Sequence, residues 1–378
     1  MKLAILGTRG IPANYGGFET FAQELSVRLA ARGHEVCVYG RSHYIDRGLQ
    51  DFRGVKLCVL PSIPNKYLDT IVHTSLSVFH ALFRKYDAVL ICNAANAFLC
   101  WIPRIVGQKT ALNVDGIERL RKKWGLPGKL FYSLGERLAL LTPDRIITDA
   151  EVIRDYYKSR YGRNTTFIPY GAVVEDAVDS GVLEKLGLEP GRYLLYVSRL
   201  EPENNADLVI RAYLESGLQE IPLVLVGDAP YAGDYLAELK KLADQGNIIM
   251  PGAIYGSGYF DLLSHCACYF QGSEVGGTHP ALLEAMGAGA VVVSHDTPEN
   301  REVLGETGII CDFYDQAGLS NIISGMAGDC SRFAEYGQKA KTRVKEFYNW
   351  DKVTDQYENL FNEMVKKPGD STDTAELR

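Results

Sequence analysis

Nothing in this sequence approaches the ~18 unbroken apolar residues that a membrane-spanning helix needs, so no segment is assigned to a bilayer. The start, MKLAILGTRG, has too short an apolar stretch before its glycine turn for a secretory leader and reads as a buried first strand. Excess positive charge is lacking too. Lys and Arg number 40 against 47 Asp and Glu, a net charge of −7, which argues against a general nucleic-acid binder and leaves room only for a local basic patch. There is no C-x-x-C. The eight cysteines lie mostly inside apolar runs, and the dense cluster His265-Cys266-Ala267-Cys268 sits in a strand-like one. They read as buried thiols of a reducing compartment, not as zinc ligands or disulfides. No D-x-D occurs either. Aspartates come no nearer than three apart, as Asp312 and Asp315 do in CDFYD, so the D-x-D pair that commonly holds a hard divalent cation is missing. His34, His43, His73, His80 and His295 share no spacing that suggests a triad or a metal site. A cytoplasmic protein, at most peripheral to a membrane, is the expectation.

What is present is an ordinary globular composition, 46% hydrophobic and 23% charged, over 378 residues. That length exceeds one ordinary core and predicts two domains. Short apolar runs alternate with helical patterns: KLAIL, EVCVYG, DAVLICN, TALNV and RIITD in the first half, RYLLYVS, PLVLVG, NIIMPG, CYFQG and AVVVS in the second. Strands separated by helices give βαβ units and parallel sheets covered on both faces. The fold class is therefore α/β, with two Rossmann-like, doubly wound domains. The acidic, glycine-containing stretch 173–192 has no buried-strand pattern and marks the boundary. The predicted domains are 1–172 and 173–349. Trp350, Val353, Tyr357, Leu360, Phe361 and Met364 follow helical spacing over about 350–365, and the polar tail 366–378 is expected to fray. Two such domains facing each other put a cleft at the carboxyl ends of both sheets.

Two glycine-rich loops would border that cleft. The first, GTRGIPANYGG, bears Gly7, Gly10, Gly16 and Gly17 and runs into a helix starting near Phe18. It offers free backbone N–H groups and a positive dipole end to an anion. Its spacing is G-x-x-G rather than G-x-G-x-x-G, and the second strand ends VYGRSH without the acid that takes a ribose. Both features argue against a dinucleotide-dependent dehydrogenase. The second loop opens GSEVGGTHPALLEAMGAG, residues 272–289. Gly276 and Gly277 let backbone approach a ligand, Thr278 and His279 are placed to cap the helix, and Pro280 suits its first turn. Helical side chains lean toward the N-terminus, so Glu284 points back at that loop. A carboxylate there can accept from paired hydroxyls such as a ribose's, while the loop amides face a diphosphate. The plainer role, complementing the helix dipole for ~0.3–1 kcal/mol, fits less well with the apolar neighbours Leu282, Leu283, Ala285 and Met286. Asp149, closing RIITD, and Tyr170 in FIPYG stand at strand ends beside the cleft; helix capping or core packing is the alternative for each. The segment ERLRKKWGLPGKLFY, 118–132, sets Arg119, Arg121, Lys122, Lys123 and Lys129 beside Trp124, Phe131 and Tyr132. That is a solvated basic face, or a surface for an anionic membrane and a lipid-diphosphate acceptor.

The stretches ILGTRGIPANYGGFETFAQEL, NVDGIERLRKKW, YVSRLEPENN, GGTHPALLEAMGAG and YNWDKVTDQYENLF occur in that order between residue 1 and about 365. Together they resemble a family-4 glycosyltransferase of the GT-B fold, most of all the bacterial branch typified by retaining β-1,4-rhamnosyltransferases of surface-polysaccharide assembly. The resemblance implies a C-terminal domain that holds a dTDP- or UDP-linked sugar and an N-terminal domain that holds a saccharide or polyprenyl-diphosphate-linked acceptor. It also implies a C-terminal helix packing back toward the N-terminal domain, net retention by front-face attack, no cofactor beyond the nucleotide-sugar co-substrate, and no metal. Glu284 inherits the ribose role of the family's E-x7-E, but the first position, 276, is glycine, and Glu274 is two residues out of register. Donor contacts would then come from the backbone of Gly276, Gly277, Thr278 and His279, with Gly16 and Gly17 as further phosphate or sugar contacts. Arg199, at the end of RYLLYVS, matches the arginine of the family's diphosphate-binding Arg/Lys pair, and Asn204 stands where the lysine would be. Both departures resemble the rhamnosyltransferase-like branch, and they leave the diphosphate less formal charge. Asp115 falls where relatives place a polar residue near the reacting centre; a turn residue in Asp-Gly is the other reading. With Asp149 and Tyr170 it makes up the catalytic candidates. A nucleotide-sugar epimerase and a non-catalytic nucleotide-sugar-binding protein are the rival readings.

Overall fold

The computed structural model describes the chain except for residues 14–15, 66–67, 123, 175–178, 229–231, 327–332 and 367–378. The tail expected to fray lies outside the described residues apart from Lys366, as does Lys123 of the basic segment.

The ten apolar runs singled out above all form strands. The first sheet contains β1 (Lys2–Leu6), β2 (Glu35–Arg41), β3 (Asp51–Phe52), β4 (Val55–Leu60), β5 (Ala88–Cys92), β6 (Lys109–Val114), β7 (Arg145–Thr148) and β8 (Thr166–Phe167). The second contains β9 (Leu194–Val197), β10 (Leu223–Val226), β11 (Ile248–Gly252), β12 (Cys268–Gln271), β13 (Val292–His295) and β14 (Ile309–Cys311). β3, β4, β8 and β14 were not expected. β3 and β8 are two residues long and β14 three, too short to show a period, and β4 is only partly buried.

The strand order is β3-β4-β2-β1-β5-β6-β7-β8 in one sheet and β11-β10-β9-β12-β13-β14 in the other. All pairings are parallel except that of β3 with β4. In each sheet the first strand of the domain sits centrally and the order reverses beside it, between β1 and β5 and between β9 and β12. A crevice opens at the carboxyl ends of the strands at such a reversal, because the connecting helices depart to opposite faces. Arg199 follows β9, Gly272 follows β12, Asp115 follows β6 and Asp149 follows β7, so these residues face one another across the cleft.

The C-terminal helix Trp350–Val365 returns to the first sheet. Its apolar stripe (Trp350, Val353, Tyr357, Leu360, Phe361, Met364) is buried, and Asn113 on β6 donates to the Tyr357 hydroxyl at 2.8 Å. Arg32 meets Glu358 and Asp355 at 2.7 Å each on the rim. Asn349 caps the helix, its Oδ1 accepting from the Asp351 amide at 2.7 Å. Among the described residues no helix is long and apolar enough to cross a membrane.

Candidate active site between the two domains

A cavity of about 700 Å³ lies between the sheets. Its walls bring together Gly16, Gly17, Asp115, Tyr170, Arg199, Asn204, Gly276, Thr278, His279 and Glu284, which the sequence scatters from position 16 to position 284. A second cavity of about 280 Å³ adjoins it and shares Gly16, Gly17, Asp115, Arg121 and Arg199.

The glycines of the loop after β12 are fixed by close approach. A Cβ at Gly277 would lie 2.0 Å from Asp149 Oδ1, one at Gly276 2.4 Å from the His279 ring, and one at Gly116 2.6 Å from the Gly276 carbonyl carbon. The two domains therefore meet backbone to backbone here. A Cβ at Gly17 would likewise lie 2.8 Å from Pro280. Pro280 opens the helix Pro280–Ala288 as expected, but neither Thr278 nor His279 caps it. Instead the Thr278 amide donates to Asp149 Oδ2 at 2.9 Å and its hydroxyl donates to the Asp149 carbonyl. Asp149, predicted as a catalytic candidate, thus holds the loop of the opposite domain. Burial and the neighbouring Asp115 carboxylate raise its pKa well above the ordinary range.

Glu284 faces the larger cavity, and the Tyr259 hydroxyl donates to its Oε2 at 2.7 Å. Burial pushes its pKa up to about 7. His279 is driven the other way, down to about 3, by burial and by the guanidinium groups of Arg121 and Arg199, so its ring is neutral at physiological pH. Asn204 Nδ2 donates to the Arg199 carbonyl at 2.6 Å, shaping the turn that presents the arginine. Asp115 occupies an Asp-Gly turn, with Gly116 at φ +65°, and still lines both cavities, so the two readings of that residue coexist. Tyr170 packs its ring 5.1 Å from Phe21, and burial raises its pKa well above the ordinary value. It forms a neutral wall of the cavity. At the start of the helix Gly17–Ala31, the buried carboxylate of Glu19 accepts from the Arg9 amide at 2.8 Å. The place read as an anion cradle thus already holds an acid, while Gly16 and Gly17 keep their position on the cleft.

The basic segment departs most from its composition. Arg119 pairs with buried Glu136 at 3.1 Å, and Lys122 crosses to Glu274 at 2.9 Å. Arg121 is 6% exposed and pairs with Glu118 at 2.7 Å. Trp124 and Tyr132, their rings tilted at 44° with centroids 5.2 Å apart, line the smaller cavity. What remains outward on the helix Leu126–Ala139 is Leu126, Pro127, Leu130 and Leu134 with Lys129 and Arg137. Sequence reasoning missed Arg121 and Tyr259 as site residues. Arg121 had a signal, its place just beyond the strand-end turn at Asp115; Tyr259 had none.

Two doubly wound domains joined across a shared cleft define the GT-B class of glycosyltransferase. Two family descriptions match the chain in succession: "Glycosyl transferase 4-like domain" over residues 16–171 and "Glycosyl transferases group 1" over residues 183–343. The chain belongs to the glycosyltransferases that these two descriptions name, the 4-like domain in its first half and the group 1 domain in its second. It is 24% identical to N-acetyl-alpha-D-glucosaminyl L-malate synthase of Bacillus anthracis, over 97% of this chain and 98% of that protein. It is 25% identical to phosphatidyl-myo-inositol mannosyltransferase of Mycolicibacterium smegmatis, over 57% of this chain and 56% of that one. Anabaena HepE, solved in complex with UDP-glucose, superposes with a TM-score of 0.78 at 17% identity, covering 96% of this chain and 100% of that one. At that identity the likeness bears on the fold.

Proposed function

We propose that the chain transfers a hexose, rhamnose in particular, from a dTDP- or UDP-linked donor to a saccharide or lipid-linked saccharide with retention, in surface-polysaccharide assembly. The observation that carries this reading is the convergence of Glu284, Arg199 and the Gly276–His279 loop on one interdomain cavity that Asp115 also lines. Glu284 is placed to accept from ribose hydroxyls, and the loop amides with Arg199 to meet the diphosphate. The bond from the anomeric carbon to the β-phosphate oxygen breaks as an acceptor oxygen attacks the same face, and the departing diphosphate takes the acceptor proton. No enzymic nucleophile is required. Fixed amide dipoles aimed at the leaving group need no reorganisation as charge develops, which supports transfer without a metal.

The smaller cavity suits the acceptor. Its Trp124 and Tyr132 rings offer apolar faces to a sugar, while Asn65, Thr70 and Asn93 supply polar groups. A lipid-linked acceptor, presented at the cytoplasmic face of a membrane, is supported by the exposed Leu126, Leu130 and Leu134 beside Lys129 and Arg137. Thermal-shift screening against a panel of nucleotide sugars, dTDP-rhamnose included, followed by nucleotide-release assays, tests the reading. Turnover of the donor sugar to an epimer without acceptor would point to an epimerase, and binding without nucleotide release to a non-catalytic receptor.

A further inference from the structure

Arg121 and Arg199 reach the cleft from opposite domains, one just beyond the Asp115 turn, the other just beyond β9. Among the described residues that line the larger cavity they are the two arginines, and no lysine joins them. Both also line the smaller cavity, so they stand where the two spaces meet. Arg121 is held from behind. Its Nε donates to Glu118 at 2.7 Å, and its Nη1 lies 3.7 Å from Glu203, beyond hydrogen-bonding reach. Among the described residues neither Nη group of this nearly buried guanidinium makes a hydrogen bond, although Nη1 keeps an ion pair with buried Glu203, so a ligand in the cavity can still take N–H donors from it. His279, the last residue of the loop before the helix Pro280–Ala288, feels both guanidinium groups, which places them around the same loop amides. Asn204, on the donor-domain side of that space, is neutral.

We infer that Arg121 is the second cation of the donor diphosphate site, delivered by the N-terminal domain when the cleft is closed. The inference rests on the nucleotide-sugar reading and adds a consequence to it. A donor that touches the C-terminal domain alone meets Arg199 and the loop amides; its leaving phosphate is fully neutralised only after the acceptor-side domain has docked. Asp115 stands beside Arg121, and burial raises its pKa while the Arg121 and Arg199 guanidinium groups oppose the rise. Departure of the diphosphate is thereby coupled to the presence of the acceptor domain, and hydrolysis in the open cleft is disfavoured.

Calorimetric titration of the full chain with UDP or dTDP, and with the matching nucleoside, tests this. R121Q is expected to weaken the diphosphate at least tenfold while changing the nucleoside less than twofold. Equal losses for both ligands, or no loss, in a chain with wild-type melting behaviour would overturn the assignment. Should R121Q melt early, R121K keeps the charge but loses the two-pronged donor. It is then expected to weaken the diphosphate about threefold or more with the nucleoside unchanged, and parallel behaviour of the two ligands would again overturn it. A wild-type chain that binds neither diphosphate overturns the donor reading and this inference together, an outcome distinct from every result above.

Discussion

Replacing Glu284 by glutamine should make the empty protein more stable and the loaded protein worse. Burial raises the Glu284 pKa from the ordinary 4.5 to about 7. Between those values the folded chain binds more proton than the unfolded chain, so this group's contribution to stability falls as pH rises and stays low above about 7. Each pH decade is worth ~1.4 kcal/mol, which bounds the penalty at roughly 3 kcal/mol. The Tyr259 bond to Oε2 opposes part of the rise and is already included in that figure. Glutamine has nearly the same shape and no charge to desolvate. Urea unfolding should therefore show E284Q gaining about 1–3 kcal/mol over wild type at pH 8 and little at pH 5. Other titrating groups are common to both proteins and cancel in the comparison. Donor binding should move the opposite way. Ribose hydroxyls donate to the ionised carboxylate, so E284Q loses charge-assisted hydrogen bonds worth roughly 1.5–3 kcal/mol, ten- to a hundredfold in affinity. Wild type should also release protons on binding near pH 7, seen as heats that depend on the buffer's ionisation enthalpy. A stability difference equal at both pH values, with unchanged donor affinity, would refute the reasoning.

Three further outcomes are expected. Arg199→Ala should weaken a nucleoside diphosphate far more than its nucleoside in calorimetry, because only the former carries the charge; equal losses would make the residue structural. Acceptor-dependent transfer should survive excess EDTA, and activity lost to chelation and restored by Mg²⁺ or Mn²⁺ would show the diphosphate site to be misread. Sedimentation with anionic liposomes should fall with added salt and with L126S/L130S or K129A/R137A; the absence of any low-salt binding would favour a soluble acceptor.

The sequence located much of this site and explained less of it. Strand-end position was enough to bring Asp115, Asp149 and Arg199 to the cleft, because a doubly wound sheet delivers every strand's carboxyl end to one edge. The lean of helical side chains placed Glu284. Roles that depend on contacts across the chain were not legible. Asp149 binds Thr278 from 129 positions away, and nothing local to RIITD announces that. Arg121 was hidden by its neighbours: composition averaged it with Arg119 and Lys122 into a surface patch, whereas Glu118, Glu136 and Glu274 each claim one of the three. Asn204 read as a missing charge, and the structure gives it work on the Arg199 carbonyl.

The His279 ring over Gly276 also constrains how this sequence can change. Any side chain at 276 begins with a Cβ 2.4 Å from that ring. A glutamate at 276 would meet an occupied space, so the His279 ring would have to shift before the carboxylate could enter, and substitutions at the two positions are coupled. Glycine at 276 is, in that sense, one half of a paired solution whose other half is a histidine three residues on.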